Sequence, residues 1–483
     1  MAEHMQQFVR LPQRPPAKRG VSERRADFAE IYRGFDQEGA RAQASRCSQC
    51  GIPFCQIHCP LGNNIPDWLK LSSEGRLEEA YEISAATNTF PEICGRICPQ
   101  DRLCEGNCVI EKGFESVTIG AIERYITDTA FDNGWVRPIR PRRERGRSVG
   151  IIGAGPAGLA AAEALRRQGY AVHVYDRHDR VGGLLIYGIP GFKLEKSIVE
   201  RRRAWLADGG IAFHLNQDIG GALSFTELRD RHDAVLIATG VYKAREIAAP
   251  GSGLAGIVPA LDYLIASNRK GLGDMVPDFD SGLLNAAGKR VVVIGGGDTA
   301  MDCVRTAIRQ DATSVTCLYR RDRANMPGSM REVSNAEDEG IKFTWLAAPE
   351  AFLGDTSVTA VRAVRMHLGL ADASGRQTVE PIAGSSFTVE ADLVIKALGF
   401  DPEDLPGAFG EKNLGLSRWG TLKIDPRSFM TALPGVFAAG DIVRGASLVV
   451  WAIKDGRDAA ASMHTYLERS AAREASAFAT AAE

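Results

Sequence analysis

From Ser148 onward, short apolar runs alternate with glycine turns and stretches of strong helix formers. SVGIIGAGPAGLAAAEALRRQGYAVHVYD (148–176) reads as a complete β-α-β unit. Its run VGII has the continuous apolarity of a buried parallel strand. AGLAAAEALRRQ favours helix, and AVHVYD is the second strand. The pattern recurs in KRVVVIGGGDTAMDCVRTAIRQDATSVTCLYRR (289–321), so one architecture is present twice, not as a short-period repeat. Upstream, residues 24–135 read as mostly helical, with cysteines on loops between short helices. LEEAYEISAATN (77–88) and TIGAIERYITDTAFD (118–132) place apolar residues at helical spacing. Residues 1–20, rich in proline and arginine, are expected to form an extended arm. RPIRPRRERGR (137–147) holds six arginines and reads either as a solvated linker or as a docking strip for a partner or neighbouring domain. Residues 472–483 are Ala/Ser-rich and are expected to fray.

Composition changes this picture little. The 483 residues have room for about three domains. A net charge of −2 gives no field toward nucleic acid or membrane. No apolar run approaches the roughly 18 residues of a membrane span, and the first residues lack the apolar stretch of a secretory signal. The expectation is a cytoplasmic protein, where clustered cysteines serve as metal ligands or redox groups more often than as disulfides.

Each β-α-β unit carries a nucleotide signature. In the first, Gly153, Gly155 and Gly158 form G-x-G-x-x-G, with Ala154, Pro156 and Ala157 between them. Such glycines allow the tight turn, the approach of backbone amides to a pyrophosphate, and close helix–strand packing. Asp176, 23 residues after Gly153, ends the second strand, where a carboxylate accepts hydrogen bonds from ribose hydroxyls. In the second unit Gly295, Gly296, Gly297, Asp298, Thr299 and Ala300 give G-x-G-x-x-A. There the strand ends in Arg320 and Arg321 instead of an acid, and guanidinium groups would grip a 2′-phosphate. The second site is therefore expected to take NADPH in preference to NADH. Arg323 is a third, weaker candidate.

Eight of the ten cysteines lie in two runs. Cys47, Cys50, Cys55 and Cys59 form C-x2-C-x4-C-x3-C-P; Cys94, Cys98, Cys104 and Cys108 form C-x3-C-x5-C-x3-C. Two structural zinc sites or two redox-active iron–sulfur clusters both fit these counts. The Cys-Pro pairs at Cys59 and Cys98 resemble those that close bacterial ferredoxin runs, which favours iron–sulfur. His58 reads as a solvated neighbour, and Cys303 and Cys317 as buried small apolar residues. No C-x-x-C lies within or between the nucleotide units, so a dithiol outlet for electrons is not expected.

Three further segments resemble two-dinucleotide flavoprotein reductases: DRVGGLL (179–185), VLIATG (235–240) and GVFAAGDIV (435–443). The resemblance implies FAD at the first site, contacted also by Arg177, Gly183, Leu184, Thr239, Gly240, Gly440 and Asp441. It further implies that the helix around AIKDGRDAA (452–460) points its N-terminus at the flavin ring. With CSQCGIPFCQIHCPLGNNIP, CGRICPQDRLCEGNCV and GGGDTAMDC, the chain resembles the small-subunit family of NADPH-dependent glutamate synthase. Its modules are also similar to the amino-terminal part of dihydropyrimidine dehydrogenase.

This family resemblance implies an α/β fold. Two Rossmann-like dinucleotide-binding domains, for FAD and NADPH, would follow an α-helical iron–sulfur domain. The expected boundaries are a cluster domain at 1–145, FAD-binding parts at 146–285 and 396–470, an NADPH-binding domain at 286–395, and a tail at 471–483. It also implies two [4Fe-4S] clusters with crossing ligands: Cys47, Cys50, Cys55 and Cys108 for one, and Cys59, Cys98, Cys104 and Glu123 for the other. Chemistry alone would choose Cys94 over Glu123, since thiolate is the usual iron ligand. The implied activity is NADPH oxidation through FAD and the clusters, with no catalytic acid–base residue. The implied partner, in a hetero-oligomer, is a large (α) subunit carrying FMN and a further iron–sulfur cluster, which makes L-glutamate from L-glutamine and 2-oxoglutarate. A ferredoxin-linked or bifurcating NADPH oxidoreductase subunit is the alternative within the same modules. A zinc-bearing nucleotide sensor is the alternative outside enzymes.

Overall fold

A computed structural model describes residues 5–371 and 377–481, with side chains as far as Arg473. Five main helices build the N-terminal domain: α1 (Gln37–Ala44), α2 (Ile65–Glu74), α3 (Leu77–Thr87), α4 (Pro91–Ile97) and α5 (Ile119–Asp132). Proline in the first turn of α2 and α4 presets the helical φ, and Gly75, at φ 80°, ends α2. Trp68, Ile122, Ile126 and Ala130, all fully buried, form the centre of this domain's core. The cysteines are less confined to loops than expected. Cys94 lies inside α4, Cys98 caps it, and Cys55 sits in a one-turn helix, Phe54–Ile57. The described part of the N-terminal arm includes a 3-10 turn, Gln7–Val9, and is docked on the domain. Arg46 donates to Leu11 O at 3.0 Å, and Gln13 donates to Ser116 O at 2.8 Å. Residues 1–4 lie outside the described residues.

The first nucleotide unit contains β1 (Ser148–Ile152), α6 (Pro156–Arg167), β2 (Ala171–Tyr175), α7 (Lys196–Asp208), β3 (Ile211–His214) and β4 (Ala234–Ile237). The second contains β5 (Ile257–Pro259), α8 (Ala260–Gly271), β6 (Arg290–Ile294), α9 (Asp298–Arg309), β7 (Ser314–Tyr319), α10 (Met330–Asp338) and β8 (Lys342–Trp345). Four antiparallel strands follow: β9 (Ala347–Leu353), β10 (Ala360–Ala371), β11 (Gln377–Pro381) and β12 (Phe387–Glu390). The chain then returns through β13 (Leu393–Lys396), β14 (Val436–Ala438) and α11 (Val449–Ala481). The two parallel sheets have the orders β14-β4-β1-β2-β3 and β5-β13-β6-β7-β8.

The boundary expected at 285/286 moves. β5 pairs with β13, so residues from about 257 belong to the second sheet. Three residues ending in proline carry no periodic signal, and only the long-range pairing reveals the strand. β14 pairs with β4, so the first sheet closes with late residues. The β9–β12 sheet was not foreseen. α11 runs through most of the segment read as a frayed tail; its last two residues lie outside the described ones. In the arginine-rich linker, Arg140 donates to Asp208 O, Arg145 pairs with Glu468 and Arg147 pairs with Asp233, so these three dock on the flavin domain.

The N-terminal domain is not an appendage. Phe90, Ile93, Cys94 and Cys98, on and beside α4, share one hydrophobic core with Leu185, Ile186 and the buried faces of β1, β2 and α6. Glu92 and Arg202 lock the same joint with two hydrogen bonds of 2.7 Å in a buried pair.

Candidate functional site

The first glycine loop sits at the carboxyl end of β1. Gly153 adopts φ +110°, and a β-carbon there would stand 2.3 Å from Ala238 O. At Gly158 a β-carbon would meet Gly153 O at 2.0 Å, so α6 can start against its own strand only with glycine. Gly183 lies against Gly155, and Gly440 lies against Ala157. Ala154 N–H donates to Asp176 Oδ2 at 2.7 Å, and His178 N–H donates to Oδ1 at 2.8 Å. Asp176 thus tethers its own loop while lining the cleft.

Two adjoining cavities, about 410 and 100 Å3, form one elongated cleft. It gathers Gly153, Gly155, Pro156, Ala157, Asp176 and Arg177 from the first unit, Leu184, Thr239 and Gly240 from the next loops, and Asp441 from beyond β14. Burial pushes the Asp441 carboxyl up to about 6, against a 2.9 Å hydrogen bond from Ser447. Leu448 and Val449 also line the cleft, so α11 begins at it. Thr239 Oγ1 is buried with no hydrogen-bond partner among the described residues. An orphaned hydroxyl in a glycine-built cradle fits a bound dinucleotide such as FAD. Tyr242, which lines both cavities and faces Arg177 at 4.9 Å, was missed. No local motif marks it.

At the second loop Gly295 has φ +146°, and Gly296 packs on the Tyr319 ring. Gly297 precedes α9, whose first turn carries Asp298, Thr299 and the buried Ala300. Asp298 does not face outward: its Oδ1 accepts from Ser329 N at 2.9 Å, and Gly328 N–H donates to Gly296 O. Arg320 is exposed and has no ion pair or hydrogen bond among the described residues. Arg321 donates to Gln377 O at 3.3 Å, and its Nε is buried without a partner. Arg323 is taken up by Glu337 at 2.8 Å. Two of the three candidate cations thus remain available for a phosphate.

The cysteines act on one another electrostatically across the two runs, in overlapping groups: Cys55 also acts on Cys104, and Cys94 acts on Cys59. Burial pushes the Cys55 thiol up to about 12 and the Cys47 thiol up to about 11; Cys50 and Cys108 act on both. Burial pushes Cys59 up to about 11, with Glu123 among its neighbours; Glu123 and Cys59 also act on Cys98 and Cys104. Such thiols stay protonated on their own, and a bound cationic centre would deprotonate them outright. Four thiolates on one zinc stand roughly 3.8 Å apart, given Zn–S near 2.3 Å. No group of three or more His, Cys, Asp or Glu among the described residues is arranged to hold a metal ion.

Glu123 is buried, and burial pushes its carboxyl up to about 7. Asn63, Asn88 and Ser84 all donate to Oε1, at 2.8, 2.9 and 3.4 Å; Oε2 accepts none among the described residues. Cys94 donates to Asn88 at 3.6 Å and is hydrogen-bonded with Cys98. Gln49, held at φ +52°, donates to Cys47 Sγ at 3.3 Å. His58 is exposed and stacks on Phe54; Cys303 and Cys317 are fully buried.

Residues 24–135 match a family model described as dihydropyrimidine dehydrogenase domain II, 4Fe-4S cluster. Residues 147–456 match pyridine nucleotide-disulphide oxidoreductase. A glutamate synthase [NADPH] small chain of Azospirillum brasilense is 69% identical over 97% of this chain and 98% of its own. The chain belongs to the glutamate synthase small-chain family. The glutamate synthase [NADPH] small chain of Escherichia coli K12 is 46% identical over 97% of this chain and 100% of its own. The solved structure of Mycobacterium tuberculosis FprA in complex with NADPH shares the two-dinucleotide fold. Its TM-score is 0.57, with 22% identity over 70% of this chain and 86% of that one. This small chain is an NADPH-dependent flavin oxidoreductase with an iron–sulfur domain. No helix among the described residues is long and apolar enough to cross a membrane.

Proposed function

We propose that the chain is the electron-input subunit of a cytoplasmic glutamate synthase, with a large subunit carrying FMN and a further iron–sulfur cluster as acceptor. Bound FAD supplies the exchange between two-electron and one-electron chemistry. Gly295–Gly297 and the start of α9 hold the NADPH pyrophosphate, and Arg320 and Arg321 hold its 2′-phosphate. Asp176 takes the FAD ribose and Asp441 the ribityl–phosphate portion. The α11 N-terminus favours negative charge on the flavin ring.

Cys59, Cys98, Cys104 and Glu123 hold the inner of two [4Fe-4S] clusters, and Cys47, Cys50, Cys55 and Cys108 hold the outer. Cys94 is left without a ligand role. One observation carries this order. Cys98 belongs to the core shared with the flavin sheet, whereas Cys47 belongs to the separate core of the N-terminal helices, against which Cys55, Cys59, Cys104 and Cys108 pack, so Cys98 alone of the proposed ligands reaches the flavin side. Exposed Ile52, Phe54, Ile57 and Val109 surround the outer group and form the exit face toward the large subunit.

The test is to purify the chain with and without a large subunit. Alone, it should contain flavin, iron and acid-labile sulfide and reduce an artificial acceptor with NADPH. Glutamate should form from glutamine and 2-oxoglutarate only when the large subunit is present. Zinc in place of iron, or glutamate made by the chain alone, would refute the proposal.

A further inference from the structure

A cavity of about 310 Å3 lies where the N-terminal arm, the helical domain, the loop before α7 and the NADPH-domain helix α10 meet. Neither nucleotide nor cysteine ligands line it. Its walls are largely apolar: Pro15, Pro16, Ile31, Tyr32, Ala121 and Phe192. Each lining carboxylate is already engaged. Glu30 accepts from Arg96 and Arg124, Glu105 accepts from Gly120 N at 3.0 Å, and Glu332 pairs with Arg305. Among the other cations, Lys18 pairs with Asp338 and Lys193 pairs with Asp302.

Arg331 differs. Its nearest carboxylate, Glu332, is 3.9 Å away, and its hydrogen bond to Cys98 O is long, at 3.5 Å. It lies 5.9 Å from the Tyr32 ring. Its Nε is buried and unpartnered, as are Thr118 Oγ1 and Arg124 Nε, and all three residues line this cavity. Thr118 is 5% exposed overall. Arg124 Nε faces Asp128 at 3.6 Å, away from the cavity, which leaves Arg331 and Thr118 as the wall residues whose buried donors lack an acceptor. The Arg331 side chain is 36% exposed, so the cavity opens to solvent beside it.

We propose that this cavity binds a small organic carboxylate, its charge on Arg331 and Thr118 and its apolar body against Tyr32 and Phe192. At about 30 Å3 per water the space holds roughly ten water volumes, near the lower limit for ligand pockets. Such a ligand would tie α10 to the helical domain. It would also neutralise a positive charge beside the Cys98 carbonyl, which places it to modulate the joint between the NADPH and cluster domains.

Benzoate is a suitable probe, with benzyl alcohol as its neutral counterpart and inorganic phosphate as an anion lacking the apolar body. Calorimetric titration of the flavin- and cluster-loaded chain, saturated with NADP+ to fill the Arg320 site, should find one benzoate per chain and no heat with benzyl alcohol. Arg331→Gln should weaken benzoate about tenfold or more and Thr118→Val severalfold, while Arg331→Lys keeps much of the affinity. Visible spectra check that each variant retains its cofactors. Should Arg331→Gln fail that check, Thr118→Val and Arg331→Lys carry the comparison. Three results would each overturn the proposal: undiminished binding in folded Arg331→Gln or Thr118→Val, equal binding of benzyl alcohol, or phosphate binding without benzoate.

Discussion

The Glu92–Arg202 pair joins the cysteine-bearing helix α4 to α7 of the flavin domain, and breaking it from its two sides should not cost the same. Both hydrogen bonds are 2.7 Å, Glu92 is fully buried and Arg202 is 4% exposed. At an effective dielectric near 20 the attraction is about 4 kcal/mol, and removing one partner of a buried pair costs about 3–5 kcal/mol. After Glu92→Leu, Arg202 still lies 4.8 Å from the Trp205 ring and 5.4 Å from Phe131, with Glu163 at 3.9 Å. Glu163 Oε2 is buried and lacks a hydrogen bond, so it can take over part of the pairing. The loss should be near the lower figure, about 3 kcal/mol. After Arg202→Leu, the Glu92 carboxylate keeps no ion pair among the described residues, Arg96 reaching only the Glu92 backbone carbonyl, and the loss should approach about 5 kcal/mol. The double leucine variant removes both charges and should cost about 1 kcal/mol or less. Amide hydrogen exchange in α4 reads this joint locally, which matters because a multidomain chain has no single unfolding free energy. Exchange should quicken about a hundredfold in Glu92→Leu, a thousandfold or more in Arg202→Leu, and under about tenfold in the double variant. A larger effect from Glu92→Leu than from Arg202→Leu, or a double variant as costly as the sum, would refute the reasoning.

Arg320→Ala should raise KM for NADPH about tenfold, the lower end for a charge-assisted contact at an exposed site, and leave steady-state rates with NADH unchanged. Glu123→Ala should lower iron and acid-labile sulfide to roughly half, whereas Cys94→Ala should retain both; the reverse result would transfer the ligand role to Cys94. At Gly456 a β-carbon would stand 2.1 Å from Ala157 O, so Gly456→Ala should push α11 off α6, cost about 1–3 kcal/mol and release FAD on gel filtration. Burial, reinforced by His173 and His214, lowers His232 from 6.5 to about 4. The folded state thus favours neutral imidazole: the stabilisation is complete above about pH 6.5 and is lost as pH falls toward 4. Discounted for partial exposure, it amounts to about 1–2 kcal/mol, and His232→Asn should flatten the melting temperature between pH 7 and 5.

The two nucleotide loops were legible because their chemistry is local. A strand, a glycine turn and a helix lie within thirty residues, and the contrast between Asp176 and Arg320 is visible in the letters alone. The position of α11 was legible through resemblance to GVFAAGDIV. What stayed hidden depends on contacts between distant segments. β5 is too short to show a period and is defined by pairing with β13. Asn63, from before α2, and Ser84 and Asn88, from the end of α3, surround Glu123 from two segments of the helical domain, and Tyr242 enters the flavin cleft from the loop after β4. The crossing of the cysteine groups was implied by family resemblance, while the counts of cysteines fitted zinc as well and the Cys-Pro pairs favoured iron–sulfur.

The two joints to the flavin domain differ in physical kind, and the difference follows from what each must do. The α4 joint is a shared apolar core, with Phe90 and Ile93 packed among Leu185 and Ile186, and close packing of this sort resists displacement. The NADPH domain packs only Ile265 and Leu272 against that core among the described residues, and its other contacts are directional and polar. Lys193 pairs with Asp302 at 2.9 Å, Arg269 with Asp179 at 2.8 Å and Arg180 with Asp274 at 2.7 Å, while Asn268 donates to Tyr187 O. Such polar interfaces permit relative domain movement more readily than large apolar ones. A cluster held by Cys98, as proposed, would exchange single electrons with the flavin over a gap that gains nothing from varying. A nicotinamide must arrive, align and leave in every turnover. An apolar joint on the electron side and a polar joint on the hydride side therefore match the two tasks, and the Glu92–Arg202 pair is the one buried charged clamp set into the rigid side.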